Sequence, residues 1–240
     1  MCDSPDKTPI WKAIANALRS DLAEGHYSPG EKLPTEAALA ARFGVNRHTV
    51  RHGLSALVSE GLVRTRRGAG AFVVSTPADY RLGHRVRFHE NLIDAGRHPE
   101  KRVLSLDTRA ATQREARALH IQVGDQVCAY HGLLLADGQP LAVVLSVFPS
   151  MRLSGIFEAL SATTSVTQAL RSVGIDDYTR ASTRLTAVRS TATQALLLQA
   201  VEGDPLLRSS SVNQCANAIP VEYGRTWFVG DRITLTLGET

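Results

Sequence analysis

Only three residues, Gly44-Val45-Asn46, separate two amphipathic helical patterns. A gap that short, with glycine to stop one helix and asparagine to cap the next, sets two helices at a steep angle across a tight turn. The upstream pattern runs from Glu36 to Phe43, is capped by Thr35, and puts Leu39 and Phe43 on one face. The downstream pattern follows Asn46 and ends near Gly61, with Val50, Leu54, Leu57 and Val58 as its apolar stripe. An earlier helix is expected over Ile10 to Glu24, where Trp11, Ile14, Leu18 and Leu22 recur at helical spacing. Ser28-Pro29-Gly30 then makes a turn. Leu62 to Thr65 and Ala71 to Val74 read as short strands around Arg67-Gly68-Ala69-Gly70. Three helices followed by a small hairpin describe a winged helix-turn-helix.

Charge concentrates on the same segment. Residues 42–72 hold six arginines (Arg42, Arg47, Arg51, Arg64, Arg66 and Arg67) against one acid, Glu60. Residues 1–76 carry ten Lys/Arg and seven Asp/Glu, whereas residues 77–240 carry seventeen and sixteen, so the positive field belongs to the smaller N-terminal part. Arg47 and Arg51 lie four apart and project from one helix face. Arginine, His48 and Thr49 presented from the first turns of a helix suit base edges in the major groove. A basic hairpin behind them suits phosphates or the minor groove. Arg42 and Arg64 fit a phosphate contact or an ion pair equally well.

The remainder of the 240 residues has a different character. Ser75-Thr76-Pro77-Ala78-Asp79 opens an extended or irregular connection reaching about Arg85. Val127 to Leu135 and Leu141 to Phe148 are strand-like and flank Ala136-Asp137-Gly138-Gln139-Pro140, a hairpin signal. Strands are expected over 179–189, 206–214, 219–228 and 232–237, with helices over 165–173 and 191–200. Strands and helices mix without strict βαβ alternation, which predicts an α+β domain on an antiparallel sheet. The expected domains are 1–76 for the winged helix-turn-helix, 77–86 for a linker and 87–240 for the second domain.

Several function classes drop out. Cys2, Cys128 and Cys215 are odd in number and lack metal-ligand spacing, so no disulfide, metal or cofactor is assigned. No Ser-His-Asp order and no GxGxxG motif argue for an enzyme, and no catalytic residue is assigned. No apolar run reaches bilayer length, and MCDSPDKTPIWK lacks an export pattern, so a cytoplasmic protein without a membrane partner is expected.

The string ARFGVNRHTVR at 41–51, continued by the wing, resembles the DNA-binding domain of GntR-family bacterial transcription factors. The string DYRLGHRVRFHENLIDAGRHP at 79–99, with ADG (136–138), GDPLL (203–207), PVEY (220–223) and GDR (230–232), resembles the HutC branch. The C-terminal domain of that branch, called UTRA, has a chorismate-lyase-like fold. The likeness extends to regulators of phosphonate metabolism within the branch.

The resemblance implies a repressor that binds double-stranded operator DNA as a homodimer on an inverted repeat. Its DNA contacts carry over to Arg47, His48, Thr49 and Arg51, and at the wing tip to Arg66, Arg67 and Gly68. It also implies a small, anionic effector, held in many relatives by amides at a helix start, here Phe88, His89 and Glu90, with Arg85 and Arg87 adding charge. Ser146, Phe148, Glu222 and Tyr223 carry over as further effector contacts. Where relatives place arginines, this chain has Gly132 and Leu134, with His131 nearby as a partial substitute. Those departures argue against an amino-sugar phosphate and leave a phosphonate, a phosphate ester or inorganic phosphate as the expected class. A sugar phosphate, an amino-acid catabolite or a fatty acid stands as the alternative, and a lyase-like enzyme behind it.

Overall fold

In the computed structural model the described residues are 9–66, 68–74, 77–83, 85 and 88–237, without the Arg66 side chain. The chain divides into two compact units, Met1–Thr76 and Pro77–Thr240.

The first unit has α1 (Ile10–Ala23), α2 (Glu36–Phe43), α3 (Arg47–Ser59) and the antiparallel strands β1 (Val63–Arg66) and β2 (Gly70–Val73). Thr35 caps α2 by accepting from the Ala38 amide at 3.2 Å, and Gly44 ends it at φ 63°. Asn46 caps α3 by accepting from the Thr49 amide at 2.8 Å. Val50, Leu54 and Leu57 pack against Ile14, Leu18 and Leu39. Val58 does not join them: it is 37% exposed, because the helix turns it past the edge of the buried stripe. Gly53 lets α1 approach α3, since a Cβ there would lie 3.1 Å from the Trp11 carbonyl oxygen.

In the second unit, the first part of the stretch expected as a linker is built into the domain. Ala78–Arg81 forms β3, which pairs in parallel with the last strand, β10 (Ile233–Thr236). Tyr80 and Leu82 alternate inward and bury against Phe228 and Ile233, which explains the pairing. The short helix α4 (Phe88–Asp94) follows.

The main sheet comprises β4 (Pro99–Ala110), β5 (Gln126–Ala136), β6 (Gln139–Pro149), β7 (Thr179–Arg189), β8 (Pro205–Gln214) and β9 (Pro220–Val229). Its order is β4-β5-β6-β9-β8-β7 and every pairing is antiparallel. The β5–β6 hairpin turns on Asp137 and Gly138, both at positive φ (49° and 75°), as a two-residue primed turn requires. β4 escapes a reading by alternation because it is an edge strand whose sequence, PEKRVLSLDTRA, alternates poorly.

Two helices, α6 (Ile156–Ala162) and α7 (Val166–Ser172), bring Ile156, Leu160 and Leu170 onto one sheet face, which carries Cys128, Tyr130 and Phe148. Between β4 and β5, α5 (Gln113–Leu119) covers the other face, where Leu119 meets Val127, Val147 and Tyr223. On that same face, α8 (Ala192–Leu197) sits beside Leu198, which packs on Leu133, Leu135 and Val229. Arg232 is buried and donates to the carbonyls of Pro140 (2.6 Å), Leu198 (2.7 Å) and Gln199 (2.9 Å), tying the hairpin and the end of α8 to the chain just before β10.

Candidate nucleic-acid interface and effector cleft

The α3 start is a polar surface built on an apolar one. The stripe that buries Val50 and Leu54 leaves Arg47 and His48 exposed on the first turn. Thr49 is partly spent in the cap, because its hydroxyl also lies 2.9 Å from Asn46 Oδ1. Arg51, one turn on, is exposed but engaged: its Nε and Nη2 donate to the Glu36 carboxylate of α2 at 3.0 and 2.7 Å. That hydrogen bonding, with Arg47 adding charge, holds Glu36 below the usual carboxylate range. Arg42 settles as an ion pair with Asp21 at 2.6 Å and lies over the Phe43 ring.

The wing tip faces the same concavity. A cavity of about 380 Å³ is lined by Glu36, Arg51 and Ser55 from the helices and by Thr65, Gly68 and Gly70 from the wing. Gly68 is exposed at φ 78° and Gly70 sits at φ 105°. Lys32 also lines this cavity, and a Cβ on Gly70 would meet its Cε at 3.1 Å. Sequence reasoning missed Lys32, because only its bridge to Phe72 brings it to the wing. Arg67 and the side chain of Arg66 lie outside the described residues.

The effector residues separate by strand alternation. Ser146 and Glu222 share a sheet face and a buried hydrogen bond, Ser146 Oγ donating to Glu222 Oε1 at 2.5 Å. Asn213 Nδ2 donates to the other carboxylate oxygen at 2.7 Å, and Arg180 Nε donates to Asn213 Oδ1 at 2.8 Å. Phe148 lies on the same face but is fully buried in the apolar cluster under α6 and α7. Tyr223 departs from expectation. One residue beyond Glu222, it points to the opposite face and packs with Leu119 and Val147. His131 departs likewise: it follows Tyr130 by one residue, so it cannot stand in for an arginine at 132 or 134. Phe88 is an anchor, half-buried with its ring 6.4 Å from that of Tyr80, while His89 and Glu90 are exposed. Arg85 is drawn to Asp177 at 2.5 Å, and Arg87 lies outside the described residues.

Two residues the sequence reading passed over stand on the Ser146 face. Tyr130 is 0% exposed, and its hydroxyl finds no hydrogen-bond partner among the described residues. Burial pushes that phenol up to about 12. Its ring lies along the strand over Gly132, where a Cβ would sit 2.9 Å from Tyr130 Cε1. Lys101 of β4 holds its ammonium 5.7 Å from the centre of the same ring. Burial lowers the Lys101 pKa from its ordinary value, and the charge of Glu222 opposes that shift. Position 134, the other arginine site of relatives, holds a buried Leu in an apolar cluster. Of the cysteines, Cys128 is buried and free, with its thiol pushed up to about 11 by burial, and Cys2 lies outside the described residues.

Comparison with known proteins follows the same division. The profile described as "Bacterial regulatory proteins, gntR family" matches residues 11–73, and the UTRA domain profile matches residues 94–234. An "Uncharacterized HTH-type transcriptional regulator" of Rhizobium meliloti is 35% identical over 95% of this chain and 94% of its own length. The Escherichia coli protein named "Probable transcriptional regulator PhnF" is 33% identical over 95% and 94%. The solved structure of PhnF from Mycobacterium smegmatis superposes with a TM-score of 0.66 at 26% identity, covering 95% of this chain and 99% of that one.

Proposed function

The chain belongs to the GntR family of bacterial regulatory proteins and carries a UTRA domain, and on that premise we propose that it is a homodimeric repressor of the HutC branch whose operator affinity is set by a small phosphonate or phosphate compound. It is a transcriptional regulator, as its relatives are named. The operator is an inverted repeat, because a two-fold protein requires a two-fold site. No helix among the described residues is long and apolar enough to cross a membrane.

One observation carries the DNA reading: Arg47 and His48 stand exposed on the first turn of α3, while Arg51 and Gly68 line one concavity between that helix and the wing. Guanidinium at a helix start offers paired donors to guanine, and a glycine tip lets backbone approach a phosphate. Arg66, Arg67 and Thr49 join these contacts in the proposal.

The effector class rests on the likeness to PhnF and on the cation and donors gathered over the Ser146 face. The buried Leu134 and the covered Gly132 speak against the two-arginine clamp of a sugar phosphate.

Binding measured by fluorescence anisotropy on a selected operator tests the proposal. Arg47→Ala should weaken specific binding by about 1–3 kcal/mol and relax one base position. Titration of phosphonates and phosphate esters into the protein–operator complex should release DNA. Undiminished operator binding by an Arg47→Ala, Arg51→Ala double variant defeats the DNA assignment, and failure of every such compound to release DNA defeats the effector class.

A further inference from the structure

The wing has a third edge. Gly30 donates to the Val73 carbonyl at 3.0 Å, Val73 to that of Glu31 at 2.9 Å, and Leu33 to that of Ala71 at 2.9 Å. Residues 30–33 therefore run antiparallel beside β2, with Lys32 bridged to Phe72. Extended chain turns neighbours to opposite sides. Leu33 is buried in the core of the unit, whereas Lys32 is exposed. The Lys32 side chain runs towards Gly70, where a Cβ would lie 3.1 Å from its Cε and 3.9 Å from its Nζ.

That side chain lines the concavity of about 380 Å³ between α3 and the wing. Among the described residues, three charged ones line it: Lys32, Glu36 and Arg51. Their charges do not cancel. Arg51 and Glu36 hold one another through two hydrogen bonds, while the Lys32 ammonium has no ion pair or hydrogen bond among the described residues. One positive charge is left over, on a segment that belongs neither to the helix-turn-helix nor to the hairpin.

A duplex that takes α3 in its major groove and the wing on its backbone or minor groove sends one sugar-phosphate strand across the gap between them. Each strand carries a phosphate charge about every 3.4 Å. Glu36 opposes that charge and occupies Arg51, so a strand entering the concavity needs a further cation, and Lys32 stands where it enters.

We propose that the concavity seats the sugar-phosphate strand dividing the two grooves, and that Lys32 contacts one of its phosphates directly. Such a contact positions the duplex without reading its sequence. The inference rests on the reading of α3 and the wing as the DNA-binding surface, and adds a contact that neither element holds.

The test uses the full chain and a duplex that it enriches from a random pool. Lys32 is exposed, so Lys32→Met leaves the core of the unit intact. It should weaken the enriched and a scrambled duplex alike, by roughly tenfold near 0.1 M salt, and make the salt slope shallower by about one. Lys32→Arg should keep the slope. Neutral methylphosphonate linkages, placed one at a time, locate the contact: at one position the wild type should lose as much as Lys32→Met does, and Lys32→Met should lose nothing further. An unchanged slope for Lys32→Met, with Arg47→Ala impaired, overturns the phosphate seat and leaves the DNA reading standing. A weakened Lys32→Met that stays sensitive to every linkage the wild type senses also overturns the contact, since its effect then lies in the shape of the wing. Failure of the wild-type chain to enrich any duplex overturns both.

Discussion

Arg51 on the recognition helix and Glu36 at the start of α2 form a two-point ion pair, with N–O distances of 3.0 and 2.7 Å. The arginine is thereby aimed by the neighbouring helix and partly neutralised by it. A phosphate or base contacted by Arg51 must share it with Glu36, whose negative charge also lies in the concavity beside the wing.

Glu36→Gln should therefore strengthen binding to unrelated DNA while narrowing the preference for the operator. Removing one negative charge frees the guanidinium as a phosphate contact and should steepen the salt dependence of log affinity by about one. Anisotropy titrations on operator and scrambled duplexes between low and moderate salt check this. An unchanged slope means that Glu36 does not compete with DNA for Arg51.

The helix-turn-helix was legible because its signals are local. Thr35, Gly44 and Asn46 each act within four residues of where they stand, and the stripe at Val50, Leu54 and Leu57 needs only helical periodicity. The effector face was legible in part. Ser146 and Glu222 meet through the β6–β9 pairing, 76 residues apart, which nothing in either segment announces. His131 and Tyr223 have suitable chemistry but odd parity: each is one residue out of step, and a strand turns such neighbours to opposite faces. Lys101 was invisible because β4 is an edge strand with scattered charges, and Tyr130 looks like ordinary core until its hydroxyl is seen without a partner.

Arg232 predicts a stability effect of unusual size for a charged residue. Its guanidinium serves the carbonyls of Pro140, Leu198 and Gln199, which belong to two separate pieces of the domain, the β5–β6 hairpin and the end of α8. Arg232→Met keeps much of the volume but leaves buried acceptors without donors, at a cost of about 1–3 kcal/mol for each group left unsatisfied. Urea denaturation of the full chain should show the midpoint of the second unit lowered, without a comparable fall there for Arg42→Met, because Arg42 and its partner Asp21 both lie in the first unit. Equal midpoints for Arg232→Met and wild type would show that water replaces the lost donors.

Glu115 sets an acid limit on the C-terminal domain. Burial raises its pKa, but hydrogen bonds from Arg109 and from the backbone and hydroxyl of Thr112 outweigh that, holding it at about 2 against an ordinary 4.5. A carboxyl depressed in the folded state adds stability that is complete above its unfolded pKa and is lost as pH falls through the folded one. The stability difference between wild type and Glu115→Gln should thus be full at neutral pH and shrink as pH drops from about 4.5 towards 2. A constant difference across that window, measured by denaturant titration at each pH, contradicts the assignment.

Tyr130 and Gly132 constrain one another, and that constraint separates this chain from relatives with arginine at the second position. A Cβ at 132 would stand 2.9 Å from Tyr130 Cε1 and 3.2 Å from Val144 Cγ1. Neither neighbour is the free end of a flexible chain, since the Tyr130 ring is fully buried. Gly132→Ala should accordingly cost about 1–3 kcal/mol through overpacking. Tyr130→Leu should also destabilise, by emptying part of the core. Combined, the two should cost less than the sum of the single changes, because the shorter side chain vacates the space that the new methyl enters. Neighbours coupled in this way depart from additivity by about 0.5–3 kcal/mol. Denaturation midpoints for the four proteins give the coupling directly, and strict additivity would mean that the tyrosine ring does not hold position 132 to glycine.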